Sequence, residues 1–188
     1  MKDRMTAEEF WEKFSEEFNK KFFDESLKSD ETWAYKPEWT NWMKDLLIEL
    51  GEQFGYYPDC EYWPRVDIGL FSNSGEEWSE WSFEVAIEHE NVCWPAWKKE
   101  LNKLMAINAG LKVLITYREE PYDDLMKKLN EFREIYKSRK YHQEHDNYLL
   151  IFGPLDNNDF WEYEDFLAFS FDGEKITDIT NNKKTIHG

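Results

Sequence analysis

The sequence predicts an α/β fold, a mixed β-sheet sandwiched between helices, and three observations predict it. First, two short and nearly continuous apolar runs, "LKVLITY" (111–117) and "YLLIFG" (148–153), read as strands covered on both faces. Second, a stretch with helical spacing precedes each run, and strands alternating with helices build parallel sheet. Third, strand-like segments at 65–71 and 78–90, and again at 166–179, read as antiparallel pairs, so the sheet is mixed.

Taken in chain order, "TAEEFWEKFSEEFNKKFF" opens a helix. Thr6 and Glu9 have capping-box spacing, and Phe10, Phe14 and Phe18 recur every fourth residue, with Trp11 and Phe22 widening the stripe. Residues 24–36 are polar and read as a loop. Pro37 suits a first helical position, and Trp39, Met43, Leu46, Leu47 and Leu50 follow with helical spacing to an end near Gly51 or Gly55. Pro58 breaks the chain. "EYWPRVDIGLF" (61–71) is extended, as one bent strand or two short ones divided by Pro64. "SNSGEE" is a turn, and residues 78–90 return as a strand. Pro95 starts a helix with Trp97, Leu101, Leu104 and Met105 as its apolar stripe, and Gly110 suits the C′ position. Pro121 opens a long helix carrying Leu125, Leu129, Phe132 and Tyr136. In the last segment Asp172-Gly173 marks a hairpin turn. Together these elements predict one domain over 1–188, with a helix and loop in 1–36, a core in 37–120, and a helix with sheet-completing strands in 121–188.

Composition narrows the function classes. Aromatics make up 18% of the chain, ten of them Trp, so the core must hold large rings and a disordered chain is excluded. The net charge of −17 disfavours long-range attraction to nucleic acid or to an anionic membrane. No apolar run approaches the roughly 20 residues needed to span a bilayer, and no secretory signal is visible, so a cytoplasmic protein with reduced Cys60 and Cys93 is expected. No glycine cluster forms a phosphate loop or dinucleotide fingerprint, and no serine sits in a nucleophile elbow. His142 and His145 have His-x-x-His spacing without further ligands beside them, and read as a polar helix end.

The chemistry-bearing stretch is "FEVAIEHEN" (83–91). On one parity it carries Phe83, Val85, Ile87 and His89; on the other, Glu84, Ala86, Glu88 and Glu90. In "RVDIGLF" the matching faces are Val66, Ile68 and Leu70 against Arg65, Asp67 and Gly69. If the two strands are neighbours, Asp67, Glu84, Glu88 and Glu90 share one side of the sheet. Strand residues two apart lie about 7 Å apart, and like charges so placed need water or a cation between them. A wet sheet face accounts for any single Glu. A row of three without an interleaved Lys or Arg points to a hard divalent cation, Mg²⁺ or Mn²⁺, for which two or three carboxylates suffice.

"RVDIGLF" followed by "AIEHEN" resembles the PD-(D/E)xK nuclease superfamily, with Asp67 at the start of one strand and Glu88-His89-Glu90 in the acid-x-Lys slots of the next. The preceding helix, and the "PAWKKELNKLMAINAG" helix leading into "LKVLITY", also suit it; the likeness covers roughly 39–117. The resemblance implies a restriction-endonuclease-like fold, a three-layer α/β/α sandwich with a central mixed sheet, here with an added N-terminal helical segment. It implies a catalytic set of Asp67, Glu88, Glu90 and Lys98, and Mg²⁺ or Mn²⁺ held by Asp67, Glu88 and Glu90 with Glu84 as an outer ligand. The reaction implied is metal-dependent hydrolysis of a phosphodiester in DNA or RNA. Glu90 stands where the motif has Lys, so the cationic group must come from elsewhere, with Lys98, Lys99 and Lys103 of the following helix as candidates. Lys127, Lys128, Arg133, Lys137, Arg139 and Lys140 offer a path for a nucleic-acid backbone, or form an ordinary solvated face.

A second class stays open: a non-catalytic acidic interaction module, including a DNA mimic, whose protein partner offsets the charge. A third is a solvated acidic face with the function elsewhere, for instance on Trp33, Trp39 and Trp42. Oligomeric state is open, and no membrane partner is expected.

Overall fold

The structure, a computed structural model, describes residues 4–24, 37–60, 66–73, 81–91, 96–118, 121–139, 147–154 and 166–181. Among these, four helices and seven strands follow the order α1 (Ala7–Asp24), α2 (Pro37–Gln53), β1 (Tyr57–Cys60), β2 (Ile68–Asn73), β3 (Trp81–His89), α3 (Ala96–Met105), β4 (Leu111–Arg118), α4 (Tyr122–Ser138), β5 (Tyr148–Pro154), β6 (Leu167–Phe171) and β7 (Ile176–Asp178).

The strands form one mixed sheet in chain order, β1 to β7. β3, β4 and β5 are parallel, while β1–β2–β3 and β5–β6–β7 run antiparallel on either side. This explains the two apolar runs: β4 and β5 are central strands, buried along nearly their whole length. Parallel crossovers are right-handed as a rule, and two that advance in the same direction lay both helices on one face. Accordingly, Trp97, Leu101 and Leu104 of α3 and Leu125, Leu129 and Phe132 of α4 share a core with Ala86, Leu114 and Leu150. The other face is left for α1 and α2. There Phe10, Phe14, Phe18, Trp39, Met43 and Leu47 pack on Ile68, Leu70, Val85, Ile87, Val113 and Ile151.

Local chemistry sets the element ends. Thr6 and Glu9 form a reciprocal box at the start of α1: the Glu9 N–H donates to Thr6 Oγ1 (3.1 Å) and the Thr6 N–H to Glu9 Oε2 (3.0 Å). The Phe stripe behind it is fully buried, with Phe18 against Trp42 (centroids 5.4 Å) and Phe166 (5.0 Å). In the β6–β7 hairpin, Asp172 Oδ1 accepts the N–H groups of Glu174 and Lys175, and Gly173 takes a φ of 90°.

Three local expectations are corrected. Residues 57–60 form a strand, although Pro58 had marked a break; β1 is the sheet edge, where a missing N–H costs no ladder bond. Gly110 is not the C′ residue of α3, which ends at Met105. Instead its N–H donates to Phe83 O (3.3 Å), and a Cβ there would lie 3.0 Å from Glu84 O, so the close approach to β3 requires Gly. Finally, both predicted alternations are broken: Val66 packs on the α3 side while Ile68 and Leu70 face α1 and α2, and Phe83 leaves the face of Val85 and Ile87. Leu70 opposes Val85, but Phe71 opposes Phe83, which leaves Glu84 as the extra residue of a β-bulge. Phe83 therefore turns to the α3 side, where it stacks on Phe71 (4.8 Å). The 24–36 loop (from residue 25), the "SNSGEE" turn from Ser74 on, Trp33, Cys93, His142 and His145 lie outside the described residues, as does Lys140. No described helix is long and apolar enough to cross a membrane.

Candidate functional site

The acids of β2 and β3 meet where β3 ends beside β4. Ile68 and Ile87 are the last pair of the β2–β3 ladder, and Asp67, just before β2, lies beside the end of β3 close enough for its charge to act on Glu88. Asp67 is exposed, and its Oδ2 accepts the His89 N–H (2.8 Å), closing the ladder at this end. Glu88 lies on the same side of β3 as Ala86, beneath α3. That face is not wet: Ala86 is fully buried and Glu88 is 1% exposed.

Lys103, from the last turn of α3, reaches down to Glu88. Its Nζ lies 2.7 Å from Glu88 Oε2 and 2.8 Å from Glu100 Oε2 one helical turn back. The other Glu88 oxygen, Oε1, is buried with no hydrogen-bond partner among the described residues. Burial pushes the Glu88 carboxyl up to about 8; Lys103 opposes the rise, and the nearby Asp67 and Glu100 charges add to it. Burial draws the Lys103 ammonium down, but its contacts with Glu100 and Glu88 outweigh this and hold it above the ordinary lysine value.

The remaining expected residues are placed as follows. Glu84, at the bulge, accepts a hydrogen bond from Ser72 Oγ (2.6 Å); four strand residues, about 13 Å, separate it from Glu88. Glu90 is half-buried just beyond β3, and its N–H donates to Ile115 O (2.9 Å). Lys98 pairs with Glu131 of α4, and Lys99 is exposed. Of the three candidate lysines, Lys103 is the one the structure brings to Glu88. Among the described residues, no three His, Cys, Asp or Glu side chains gather as a group able to hold a metal ion. The donors that do meet, Glu88 with its unpartnered buried oxygen and Asp67 across the strand pair, are hard oxygen ligands. Two carboxylates fit Mg²⁺ in kind, because that ion keeps several of its waters.

Behind the site, on the α2 side, lies a second polar group that the sequence did not announce. His89 Nε2 and Tyr117 Oη are 2.9 Å apart, and Trp39 Nε1 donates to the same phenol oxygen. Burial pushes the His89 imidazole down to about 3, so it is neutral, and pushes the Tyr117 phenol up. Asn91 Nδ2 donates to Thr40 Oγ1 (2.5 Å), tying the end of β3 to α2. Glu100 was also missed. Its signal was the helical wheel: at 100° per residue, Glu100 and Lys103 flank the Trp97–Leu101–Leu104 stripe on one side, and Lys98 lies on the other.

On α4, Lys127 pairs with Asp124 (2.6 Å) and Arg133 with Glu134 (3.2 Å), and just past its end Arg139 donates to Asn102 Oδ1 of α3 (2.5 Å). The exposed side of α1 carries Glu8, Glu9, Glu12 and Glu16. No protein-family model, no curated protein and no solved structure matches the chain.

Proposed function

We propose that the protein is a metal-dependent nuclease-like enzyme of restriction-endonuclease-like fold, hydrolysing nucleic-acid phosphodiesters at Asp67 and Glu88. The observation that carries this reading is Glu88: a buried carboxylate with one oxygen on Lys103, the other without a partner, and a second acid across the strand pair. Burial is costly enough to push this carboxyl up to about 8, and groups shifted in this way concentrate where chemistry needs them. Supporting it is the element order: a helix, three antiparallel strands of which the last carries Glu88, a helix, then a strand parallel to that third strand.

In this reading Asp67 and Glu88 hold a Mg²⁺ or Mn²⁺ ion. When bound, the ion supplies charge neutralisation at the phosphate and a more acidic water. Asp67 stays oriented by the His89 N–H it accepts. Lys103 supplies the positive charge of the site from the helix, its Nζ 2.7 Å from Glu88 Oε2.

The test is cleavage of plasmid DNA and of a structured RNA in Mg²⁺ or Mn²⁺, alongside calorimetric Mn²⁺ titration. Wild type should bind Mn²⁺ saturably and nick one substrate. Glu88→Gln should abolish both, and Asp67→Asn should lower cleavage by about 10²-fold or more. Cleavage that survives Glu88→Gln belongs to a contaminant or another site and ends the proposal.

The absence of a three-acid group among the described residues, with the row of exposed glutamates on α1, favours a second reading: a non-catalytic acidic module that binds a basic protein partner. It predicts no cleavage, no saturable Mn²⁺ binding, and no effect of Glu88→Gln on partner affinity.

A further inference from the structure

Lys103 sits between two carboxylates at nearly equal distance, 2.7 Å from Glu88 and 2.8 Å from Glu100. The two acids differ in setting. The Glu88 side chain is 2% exposed and comes from the sheet, whereas Glu100 is 13% exposed and shares a helical face with Lys103. Among the described residues Glu88 Oε1 is buried with no hydrogen-bond partner, and Glu100 Oε2, though 2.8 Å from the ammonium, is also buried without a hydrogen bond, so one lysine does not satisfy both acids. Glu100 is fixed at three residues' spacing, where a lysine on the same helix holds a partner without outside help.

Resting on the metal-site reading above, we infer that Lys103 is an internal cation that holds the site in place of a divalent ion, and that Glu100 is the positioning residue that takes Lys103 over when the ion claims Glu88. The physical reason is charge balance. A divalent ion and an ammonium group on one carboxylate repel each other, and a further anion beside the ammonium relieves that repulsion by drawing it away from the ion. Glu100 supplies that anion, and it already touches the ammonium, so the transfer needs only a small rotation of the lysine side chain. Glu100 would thus act through Lys103 and not as a ligand of the ion.

A double-mutant cycle read by calorimetric Mn²⁺ titration tests this. Lys103→Met removes the competing cation and should tighten Mn²⁺ binding by about tenfold. Glu100→Gln removes the acceptor and should weaken binding by about tenfold, with Glu100→Asp restoring most of it. In the Lys103→Met background, Glu100→Gln should change the affinity less than about twofold, because there is no lysine left to receive. If Glu100→Gln weakens binding equally in both backgrounds, Glu100 is a ligand and the inference is overturned. If it has no effect in either while Glu88→Gln abolishes binding, the inference falls and the metal site stands. If no variant, Lys103→Met included, binds Mn²⁺, both fall. Lys103→Gln, which keeps a donor for Glu88, replaces Lys103→Met should the latter not fold; far-UV circular dichroism and the melting midpoint monitor folding throughout.

Discussion

Glu88→Gln in metal-free buffer puts the electrostatics of the site to a direct test. Gln has the size of Glu and does not titrate. The Glu88 carboxyl is held at about 8 against an ordinary 4.5, chiefly by burial. The native state therefore keeps a proton between those values that the unfolded chain has released. With more protons bound in the native state, folding stability falls as pH rises through that window. Integrated from pH 5 to pH 8, the loss assigned to this one carboxyl is about 3 kcal/mol. The assay is urea unfolding followed by tryptophan fluorescence, with a chelator present, on wild type and Glu88→Gln at both pH values. Other titrating groups are common to the two proteins and cancel in the difference. The variant should gain on wild type by about 3 kcal/mol between pH 5 and pH 8, and become the more stable of the two at the higher pH. A stability difference that stays constant within about 0.5 kcal/mol would refute the reasoning, because the carboxyl would then not be held protonated by its burial.

The neutral His89 gives the opposite slope: its value is depressed from 6.5 to about 3, so the stability it contributes is present above pH 6.5 and lost as pH falls toward 3. His89→Gln, which keeps a side-chain amide within reach of Tyr117, should flatten the acid limb, with wild type losing about 1–3 kcal/mol more than the variant between pH 6.5 and 4; equal acid sensitivity in urea midpoints contradicts this. Phe18→Ala should cost about 3–5 kcal/mol in a thermal or urea melt, since the ring is fully buried among Trp39, Trp42 and Phe166; a cost below about 1 kcal/mol would mean that α1 is not docked on the sheet.

Much of the fold was legible because it depends on local patterns. The Phe10–Phe14–Phe18 spacing, the Thr6–Glu9 box and the Asp172-Gly173 turn each rest on interactions within a few residues. The antiparallel pairing of Ile68 and Leu70 with Ile87 and Val85 followed from their matched alternation. β1 was not legible, because Pro58 ends most strands and is tolerated here only at an edge, and a strand's place in the sheet is not written in its own residues. The bulge at Glu84 was hidden for a related reason. Strand alternation read from one chain assumes regular pairing, and one extra residue against the partner turns Phe83 over and draws Glu84 out of the carboxylate row.

The sequence by itself determined that this chain builds helices around a mixed sheet and which two strands lie at its centre. Hydrophobic period and turn chemistry decide those matters locally, before any long-range contact forms. Only the tertiary structure decided which lysine completes the group. Lys98 and Lys103 lie on opposite flanks of the α3 stripe, and both flanks carry charge, so the sequence held no preference between them. The choice came from how α3 rolls onto the sheet: with Trp97, Leu101 and Leu104 buried, one flank faces α4, where Lys98 meets Glu131, and the other overhangs β3, where Lys103 meets Glu88. The roll of a helix is fixed by packing against elements distant in the chain, and that same packing buries Glu88 deeply enough to raise its carboxyl.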